Sequence, residues 1–466
     1  MKASRYNLFI PIQRSDTTLG FNCRSAALVR FSPEEMELVE HVLSAPDSDR
    51  AFAELPAELQ NVLTESAFLL RDDEDEIEIL RRLNHRARFE SAHLGLTIAP
   101  TLSCNFQCQY CYEQGQTVDM LPETEDALVS WVAGKLENLK ALYVTWYGGE
   151  PLLAQRRVRR LSEKFLSLCH RLNIPYHAKM ISNGYLLTRD LAAELKALHV
   201  DKVQVTVDGP EKVHDVRRPF KNGGGTFRKI VENIKQVHDL IRVVVRVNLD
   251  KTNIASVPEL IDVFVRDDLY RKVSLYYGHV MPYSEFCADV SGSCLAVDEF
   301  ARNEVLLELK LFKAGFNAGS YPRPRSGFCI ADSATGWVVS PDGKVYKCWN
   351  DFGTQDAVAV DDVVHGQTEA MRLTLEKWLG WDPFQKKECL DCKMLPICMG
   401  GCPYLSFRFY DGTRGSCPTW KYNLQEILLL AYLRSEVKKA ETSVARAVQH
   451  VISHAVADEE ETEAKV

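Results

Sequence analysis

The sequence has no apolar run long enough to cross a bilayer as a helix, which takes about 20 consecutive apolar residues. Its first residues, from Met1 to Tyr6, lack the apolar core of a signal peptide. A surplus of positive charge is also missing, because the formal net charge is −8. These absences argue against a membrane-spanning protein and against a nucleic-acid binder that works through a general basic field. We therefore expect a cytoplasmic protein with no membrane partner and no nucleic-acid partner.

Cysteine, by contrast, is abundant, with 14 residues among 466. In the reducing cytoplasm cysteines are metal ligands or core residues more often than disulfides, and their clustering here favours metal ligands. The remaining composition, 46% hydrophobic and 26% charged, is typical of a globular protein. The length is sufficient for two to four domains.

The first cysteine cluster places Cys104, Cys108 and Cys111 in one loop, directly after the apolar, strand-like run from Leu94 to Pro100. Three thiolates can hold a [4Fe–4S] cluster and leave one iron open to a small molecule. The spacing, with Tyr110 before the last cysteine, resembles the signature of the radical S-adenosylmethionine (SAM) enzymes. The resemblance implies that SAM binds the open iron, with Tyr110 near its adenine. A structural zinc loop with a distant fourth ligand is the alternative.

Strand-like runs then alternate with amphipathic helical segments, which indicates parallel strands joined by helical crossovers. The fold class is therefore α/β, and six units match the partial (β/α)6 barrel of the radical SAM family. In such barrels the loops at the carboxyl ends of the strands carry function. The predicted strands are Leu94–Ala99, Ala141–Trp146, His177–Ser182, Lys202–Val207, Arg242–Leu249 and Val273–His279.

The loop after the second strand contains Gly148, Gly149 and Glu150. Glycines let a ligand approach the backbone closely, and a carboxylate accepts hydrogen bonds from an ammonium group. The three residues resemble the family's GGE motif, which implies that they bind the SAM amino group.

Three further residues lie at or beyond the ends of the next strands. Asn183 and Thr206 resemble family positions near the ribose and methionyl parts of SAM, and both side chains can donate or accept hydrogen bonds. Arg218 is the candidate for a contact with the SAM carboxylate, with a structural ion pair as the alternative.

A second cysteine-rich region surrounds a predicted hairpin with the turn Pro341-Asp342-Gly343. Its pattern resembles the SPASM domain, a C-terminal extension with two auxiliary [4Fe–4S] clusters, and a double zinc ribbon is the alternative. The resemblance implies one complete cluster and a second whose fourth ligand is open, with Cys287, Cys294 or a substrate thiolate as possibilities. The complete set is Cys389, Cys392, Cys398 and Cys417; the other is Cys329, Cys348 and Cys402.

The N-terminal residues predict a unit of their own. Two short strands, Tyr6–Ile12 and Ser25–Phe31, flank a turn region at residues 20–22, and helices are predicted to begin at Ser32, over Pro56–Leu70 and over Ile77–Phe89. This arrangement resembles the winged-helix-like domains that hold leader peptides in peptide-modifying radical SAM enzymes. A purely structural extension is the alternative.

The predicted organisation is a leader-peptide-recognition-like domain (1–90), a radical SAM partial barrel (91–315), a SPASM domain (316–425), and a C-terminal helix with an acidic tail (426–466). The resemblance implies three [4Fe–4S] clusters, and it implies SAM cleavage to a 5′-deoxyadenosyl radical with an electron donor such as flavodoxin or ferredoxin. The implied substrate is a ribosomally made precursor peptide that receives a thioether or carbon–carbon cross-link. The alternatives are an anaerobic sulfatase-maturating enzyme and a non-catalytic, zinc-stabilised peptide-binding scaffold.

Overall fold

The computed structural model of the protein describes residues 1–13, 15–45, 48–113, 117–283, 290–316, 319, 321–325, 329–351 and 357–440. Cys287 and the acidic run at 458–461 lie outside these residues. Within them, no helix is both long and apolar enough to span a membrane.

The N-terminal unit combines two small sheets with four helices. Strands β2, β3 and β4 form an antiparallel sheet in chain order, and β1 pairs with β5. The elements are β1 (Lys2–Ala3), β2 (Asn7–Ile12), β3 (Thr17–Asn22), β4 (Ala27–Phe31), α1 (Pro33–Ser44), α2 (Ser48–Ala53), α3 (Ala57–Glu65), β5 (Leu69–Leu70) and α4 (Glu76–Phe89).

The predicted turn at residues 20–22 is wrong, because these residues end the middle strand β3. Gly20 is required there by packing: a Cβ atom on it would lie 2.6 Å from Phe31 and 2.9 Å from Phe68. Both rings are buried. The glycine therefore makes room for aromatic rings, and the sequence signal for a turn was misleading.

The helices follow their predicted starts more closely than their ends. Ser32 and Glu35 form the capping box of α1, as the sequence indicates. The helix predicted to reach Leu70 ends at Glu65, because Ala67 adopts a left-handed conformation (φ 59°) and β5 follows. The short helix α2 was not predicted.

The central sheet has nine strands, in the order β11-β10-β9-β8-β7-β6-β12-β13-β14. Strands β6 to β11 are parallel and adjacent in chain order, so the six predicted barrel strands are confirmed. They are β6 (His93–Ile98), β7 (Ala141–Trp146), β8 (Tyr176–Ser182), β9 (Val200–Thr206), β10 (Arg242–Leu249) and β11 (Ser274–His279). The crossover helices cover the apolar face of these strands and bury the main core. They are α5 (Pro122–Leu136), α6 (Gln155–Leu172), α7 (Arg189–Ala197), α8 (Glu211–Arg217), α9 (Phe227–Val237), α10 (Val257–Arg266) and α11 (Val297–Lys313).

The hairpin predicted in the second cysteine-rich region extends this same sheet. Strand β12 (Gly336–Val339) pairs in parallel with β6, and β13 (Lys344–Tyr346) and β14 (Asp361–Asp362) follow antiparallel. The remaining helices are α12 (Glu369–Leu379), α13 (Lys387–Leu390), α14 (Leu395–Cys398), α15 (Pro403–Tyr410) and α16 (Trp420–Ala440). Helix α16 packs on α11, where Arg434 forms an ion pair with Glu308 at 2.8 Å.

The N-terminal unit docks on the second cysteine-rich region through a shared core. Arg5 donates to the carbonyl of Leu390 at 2.7 Å, and Lys393 donates to the carbonyl of Asn7 at 3.2 Å. One face of the β2–β3–β4 sheet and the region around α13 and α14 therefore fold against each other. The buried side chains they share include Tyr6, Ile10, Leu19, Phe21, Phe384, Leu395 and Ile397.

We expect Gly20→Ala to lower the free energy of unfolding by about 1–3 kcal/mol, because the added methyl group overpacks the rings of Phe31 and Phe68. Urea denaturation followed by circular dichroism would measure this. Gly134→Ala is the control, since Gly134 lies within α5 and its added Cβ would meet nothing within 4 Å. It should raise stability by about 0.5–1 kcal/mol. Equal effects of the two substitutions would contradict the packing role of Gly20.

Candidate active site

A cavity of about 320 Å³ lies at the carboxyl ends of the parallel strands. All the residues predicted to bind the first cluster or SAM line this cavity, except Glu150. Their roles toward a cofactor stay predictions. These wall residues are Cys104, Cys108, Tyr110, Cys111, Gly148, Gly149, Asn183, Thr206 and Arg218.

The backbone of the cysteine loop is held on one side by the glycine loop after β7. Gly149 N donates to Thr101 O at 3.1 Å, and Glu150 N donates to Ser103 O at 2.9 Å. A Cβ on Gly148, which has a φ of 110°, would lie 2.3 Å from Thr101 O, and one on Gly149 would lie 2.4 Å from Ser103 O. Both glycines are therefore needed for the approach of two backbones, apart from any approach of a ligand.

The opposite side of the cysteine loop is held by the segment after α8. Gln107 N donates to Pro219 O at 2.9 Å, and Lys221 N donates to Asn105 O at 2.9 Å. The two segments also form an isolated β-bridge. The loop that carries the three thiols is thus fixed from both sides by main-chain hydrogen bonds.

Glu150 is fully buried and does not line the cavity. It accepts hydrogen bonds from Leu152 N at 2.9 Å, Ser182 Oγ at 2.9 Å and Asn183 N at 2.7 Å. Burial raises the pKa of this carboxyl group, and these three donors partly oppose the increase. In this structure Glu150 joins the glycine loop to the end of β8, which is a positioning role that the sequence did not indicate.

Tyr110 is held by its hydroxyl group. The hydroxyl donates to the carboxylate of Asp208 and accepts from Arg218 Nη1 at 2.5 Å and from Asn248 Nδ2 at 3.0 Å. Burial raises the pKa of Tyr110 well above its ordinary value. The hydroxyl is therefore saturated, and Arg217 lies over the ring with its guanidinium carbon 5.2 Å from the ring centroid.

Arg218 lines the cavity and carries one buried donor that is unpaired within the described part of the chain. Its Nε is buried and has no hydrogen-bond partner among the described residues. A buried donor without an acceptor is costly, and an anionic ligand group would satisfy it. This fits the carboxylate contact predicted for Arg218. Asn183 Nδ2 donates to Asn105 Oδ1 at 2.7 Å, which ties the end of β8 to the cysteine loop.

The three thiols of the loop share strongly desolvated surroundings. Burial raises the pKa of Cys104 to about 12, and it also raises the pKa values of Cys108 and Cys111. The free energy of cluster binding must therefore exceed the cost of deprotonating three buried thiols. Among the described residues, no three His, Cys, Asp or Glu side chains lie close enough to hold a single metal ion. The three cysteines border one cavity together with the cationic side chain of Arg218, which fits a cluster that carries an anionic ligand.

Sequence reasoning missed four residues that line the same cavity. The hydroxyl groups of Tyr112 and Tyr147 hydrogen-bond to each other, and the ring of Tyr147 packs on Trp349 with centroids 5.6 Å apart. Burial raises the pKa of Glu113 to about 8. Their positions in the sequence could have indicated them, since Tyr112 and Glu113 follow Cys111, Tyr147 follows a strand, and Trp349 follows Cys348.

The second cysteine-rich region contains two groups of neighbouring thiols. The pKa of Cys348 is raised by burial and then by Asp351, Cys329 and Cys402. Cys294 donates to Val290 O at 3.3 Å. The fourth ligand of the Cys329, Cys348 and Cys402 set stays open between Cys287, Cys294 and a substrate thiolate.

The other group is formed by cysteines around α13, α14 and the segment before α16. Burial raises the pKa of Cys389 to about 11, with further increases from Glu388, Cys417 and Cys392. Cys389 and Cys417 likewise raise the pKa of Cys398. The division of these cysteines into two ligand sets stays a prediction.

We expect Glu150→Gln to lower the free energy of unfolding by about 1–3 kcal/mol, because the amide NH₂ group would face backbone and hydroxyl donors. Thermal unfolding of the purified protein would measure this. Glu163→Gln, on the exposed face of α6, is the matched control and should leave stability unchanged. An unchanged melting temperature for Glu150→Gln would contradict the positioning role of Glu150.

Among proteins of similar sequence is a serine-type anaerobic sulfatase-maturating enzyme of Klebsiella aerogenes. It is 24% identical over 325 residues, which cover 65% of this chain and 77% of that protein. A probable GTP 3′,8-cyclase of Saccharolobus islandicus is 31% identical over 156 residues, which cover 33% of this chain and 46% of that protein.

Among solved structures, native anSMEcpe with bound AdoMet and the Kp18Cys peptide matches with a TM-score of 0.57 and 20% identity. The match covers 73% of this chain and 98% of that one. Streptococcus suis SuiB bound to precursor peptide SuiA matches with a TM-score of 0.50 and 13% identity, over 90% of this chain and 99% of that one. These likenesses show the fold.

The description of the matching family model is the Radical SAM superfamily, and the match spans residues 98–264. This span includes the cysteine loop and the strand-end residues around the cavity. The middle of the chain, residues 98–264, is therefore a radical SAM domain.

Proposed function

We propose that the protein is a radical SAM peptide maturase, which abstracts hydrogen from a ribosomally made precursor peptide and installs a thioether or carbon–carbon cross-link. The observation that carries the proposal is the cavity in which three thiols, the Arg218 side chain and four strand ends meet. The likeness to SuiB, which is bound to a precursor peptide in its structure, spans 90% of this chain and supports the peptide substrate.

The residues present fit a [4Fe–4S] cluster and SAM at this cavity. Cys104, Cys108 and Cys111 would hold the cluster, and Arg218 would pair with the SAM carboxylate. Bound there, the cluster and SAM together supply one-electron reduction and a hydrogen-abstracting radical. The chain's own contribution is to fix the cysteine loop from both sides and to keep water out of a desolvated cavity.

The second cysteine-rich region would hold two auxiliary clusters, as in a SPASM domain, for three clusters in all. Cys389, Cys392, Cys398 and Cys417 would form one ligand set, and Cys329, Cys348 and Cys402 the other. Trp349, next to Cys348, reaches the active-site cavity. This contact supports a role for the second set in accepting the electron left after substrate oxidation. An external donor such as flavodoxin or ferredoxin would reduce the first cluster.

The N-terminal unit offers a place for the leader of such a peptide. Strand β4 is an edge of its three-stranded sheet, and four of its five residues are at least partly exposed. An edge strand can bind an extended peptide by adding it as a further strand. Because the other side of the unit docks on the second cysteine-rich region, a bound leader would stay close to the barrel.

A sulfatase-maturating activity is the second candidate. The relative of Klebsiella aerogenes carries that name, and its match covers 65% of this chain. The structure of anSMEcpe with the Kp18Cys peptide also matches the fold over 73% of this chain. This candidate uses the same cavity and differs in the substrate and in the product.

Purified without air and reconstituted, the protein should be brown, hold roughly twelve irons per chain and cleave SAM with dithionite. Replacing Cys104, Cys108 and Cys111 together with alanine should remove about four irons and abolish cleavage, because only the first cluster binds SAM. Cys169→Ala, a buried cysteine on α6, is the control and should keep both. A colourless, zinc-loaded protein would instead favour the non-catalytic scaffold.

The two enzymatic candidates predict different products. With a short cysteine-containing peptide encoded beside its gene, the protein should yield a product that has lost two hydrogens and does not react with a hydrazide. A thioether would also abolish its reaction with a thiol reagent, whereas a carbon–carbon cross-link would leave the thiol reactive. With a sulfatase-derived Ser or Cys peptide, a hydrazide-reactive aldehyde would form. Mass spectrometry after treatment with the thiol reagent and the hydrazide distinguishes the two candidates. If an aldehyde forms and no cross-linked product is found, the proposed maturase activity is rejected.

A further inference from the structure

The concave face of the six parallel strands is polar, although a filled barrel would be apolar at these positions. Along β8, Ala178 and Met180 are buried against the helices, while His177 and Lys179 on the other face are exposed. Strands β9 and β10 repeat the alternation, with valines on the covered face. The inner face of the sheet therefore borders an open space.

Two lysines lie side by side on this concave face. Lys179 and Lys202 are register partners on the adjacent strands β8 and β9. Neither forms an ion pair among the described residues. Loss of hydration and the neighbouring charge of Lys202 both lower the pKa of Lys179. Like charges on adjacent strands are destabilising, so the pair has a cost that an anionic ligand would remove.

No carboxylate of the strands compensates these charges. Asp201 is the only acidic residue within the ranges of β6 to β11, and it forms an ion pair with Lys196 of α7 at 2.7 Å, on the outer side. Further up the face, Arg246 of β10 lies over the ring of Tyr276 and donates to Asn248 Oδ1 at 2.7 Å.

Lys179, with Lys202 beside it on the next strand, lies on the path into the active-site cavity. A second cavity of about 1010 Å³ is lined by Tyr143, Thr145 and Lys179. The next inward-facing residues of the same strands, Tyr147 and Ile181, line the active-site cavity. Trp349 lines both cavities, so they follow one another along the concave face.

Arg246 lines the inner of these two cavities, so positive charge continues along the path. Among the described residues that line the outer cavity, Glu90 is the only acid, and Arg86 pairs with it at 3.6 Å. An extended chain on this path passes Lys179, with Lys202 beside it on the next strand, and then Arg246 further in. These positive charges are complementary to a run of carboxylates on an extended peptide.

We propose that the substrate peptide has an acidic segment, which lies on the concave face of the barrel with its carboxylates paired to Lys179 and Lys202. The proposal rests on the proposed function and names the chemical class of its substrate. The acidic segment enters through the outer cavity, passes Trp349 and leaves the residue to be modified in the cavity with the three thiols.

Two fluorescein-labelled peptides of equal length test the proposal, one with glutamate at alternate positions and the other with glutamine there. Fluorescence anisotropy measures their affinities for the full-length, iron-loaded protein with SAM and without air. The glutamate peptide should bind about tenfold more tightly, because hydrogen bonds to charged groups are the stronger ones, and added salt should reduce this preference.

The double variant K179Q/K202Q should lose the preference for glutamate, and K179R/K202R should keep it. K229Q/K438Q removes the same charge from the exposed surfaces of α9 and α16, and it should bind both peptides as the wild type does. The melting temperature of K179Q/K202Q should equal or exceed that of the wild type, since a like-charge pair is removed.

Equal affinity of the wild type for both peptides would overturn the proposal, and so would a glutamate preference that survives in K179Q/K202Q. A lower melting temperature of K179Q/K202Q would assign the lysines a structural role and also overturn it. SAM cleavage by the wild type is measured separately. A glutamate preference without SAM cleavage would support the acidic-peptide site and reject the proposed function.

Discussion

The backbone position of the cysteine loop is the constraint on which the rest of the active site depends. The loop after β7 holds it from one side through Gly149 and Glu150, and the segment after α8 holds it from the other. These main-chain hydrogen bonds fix the backbone that carries the three thiols without any help from a cofactor. This preorganisation is the protein's part in chemistry that a cofactor performs. The free-energy cost of deprotonating the buried thiols then arises only when the cluster binds, and not when the protein folds.

The same constraint explains why the glycines of this site serve two purposes. A side chain on Gly148 or Gly149 would collide with carbonyl oxygens of the cysteine loop. The motif that resembles a ligand-binding element is therefore also a packing element, and Glu150 extends it to the end of β8. Substitutions there would affect cofactor binding indirectly, through the loop that carries the ligands.

Much of the fold followed from periodicity in the sequence. The six parallel strands and their crossover helices were predictable, because buried parallel strands and amphipathic helices leave strong apolar patterns. The cavity wall was also predictable, since loops after parallel strands meet at one end of the sheet. Tertiary contacts were not. Gly20 is explained by two aromatic rings distant in sequence, and Trp349 enters the active-site cavity only because β12 pairs with β6.

That pairing of β12 with β6 has a consequence for how this architecture can be divided. The hairpin between Cys329 and Cys348 continues the barrel sheet, and the N-terminal unit shares a core with the cysteines that follow. The three parts are thus joined by a shared sheet and a shared core, even though each has its own sequence pattern. A chimeric protein made with a related sequence would therefore need β6 and β12 from the same parent. A junction placed where the sequence pattern changes would separate two paired strands of one sheet.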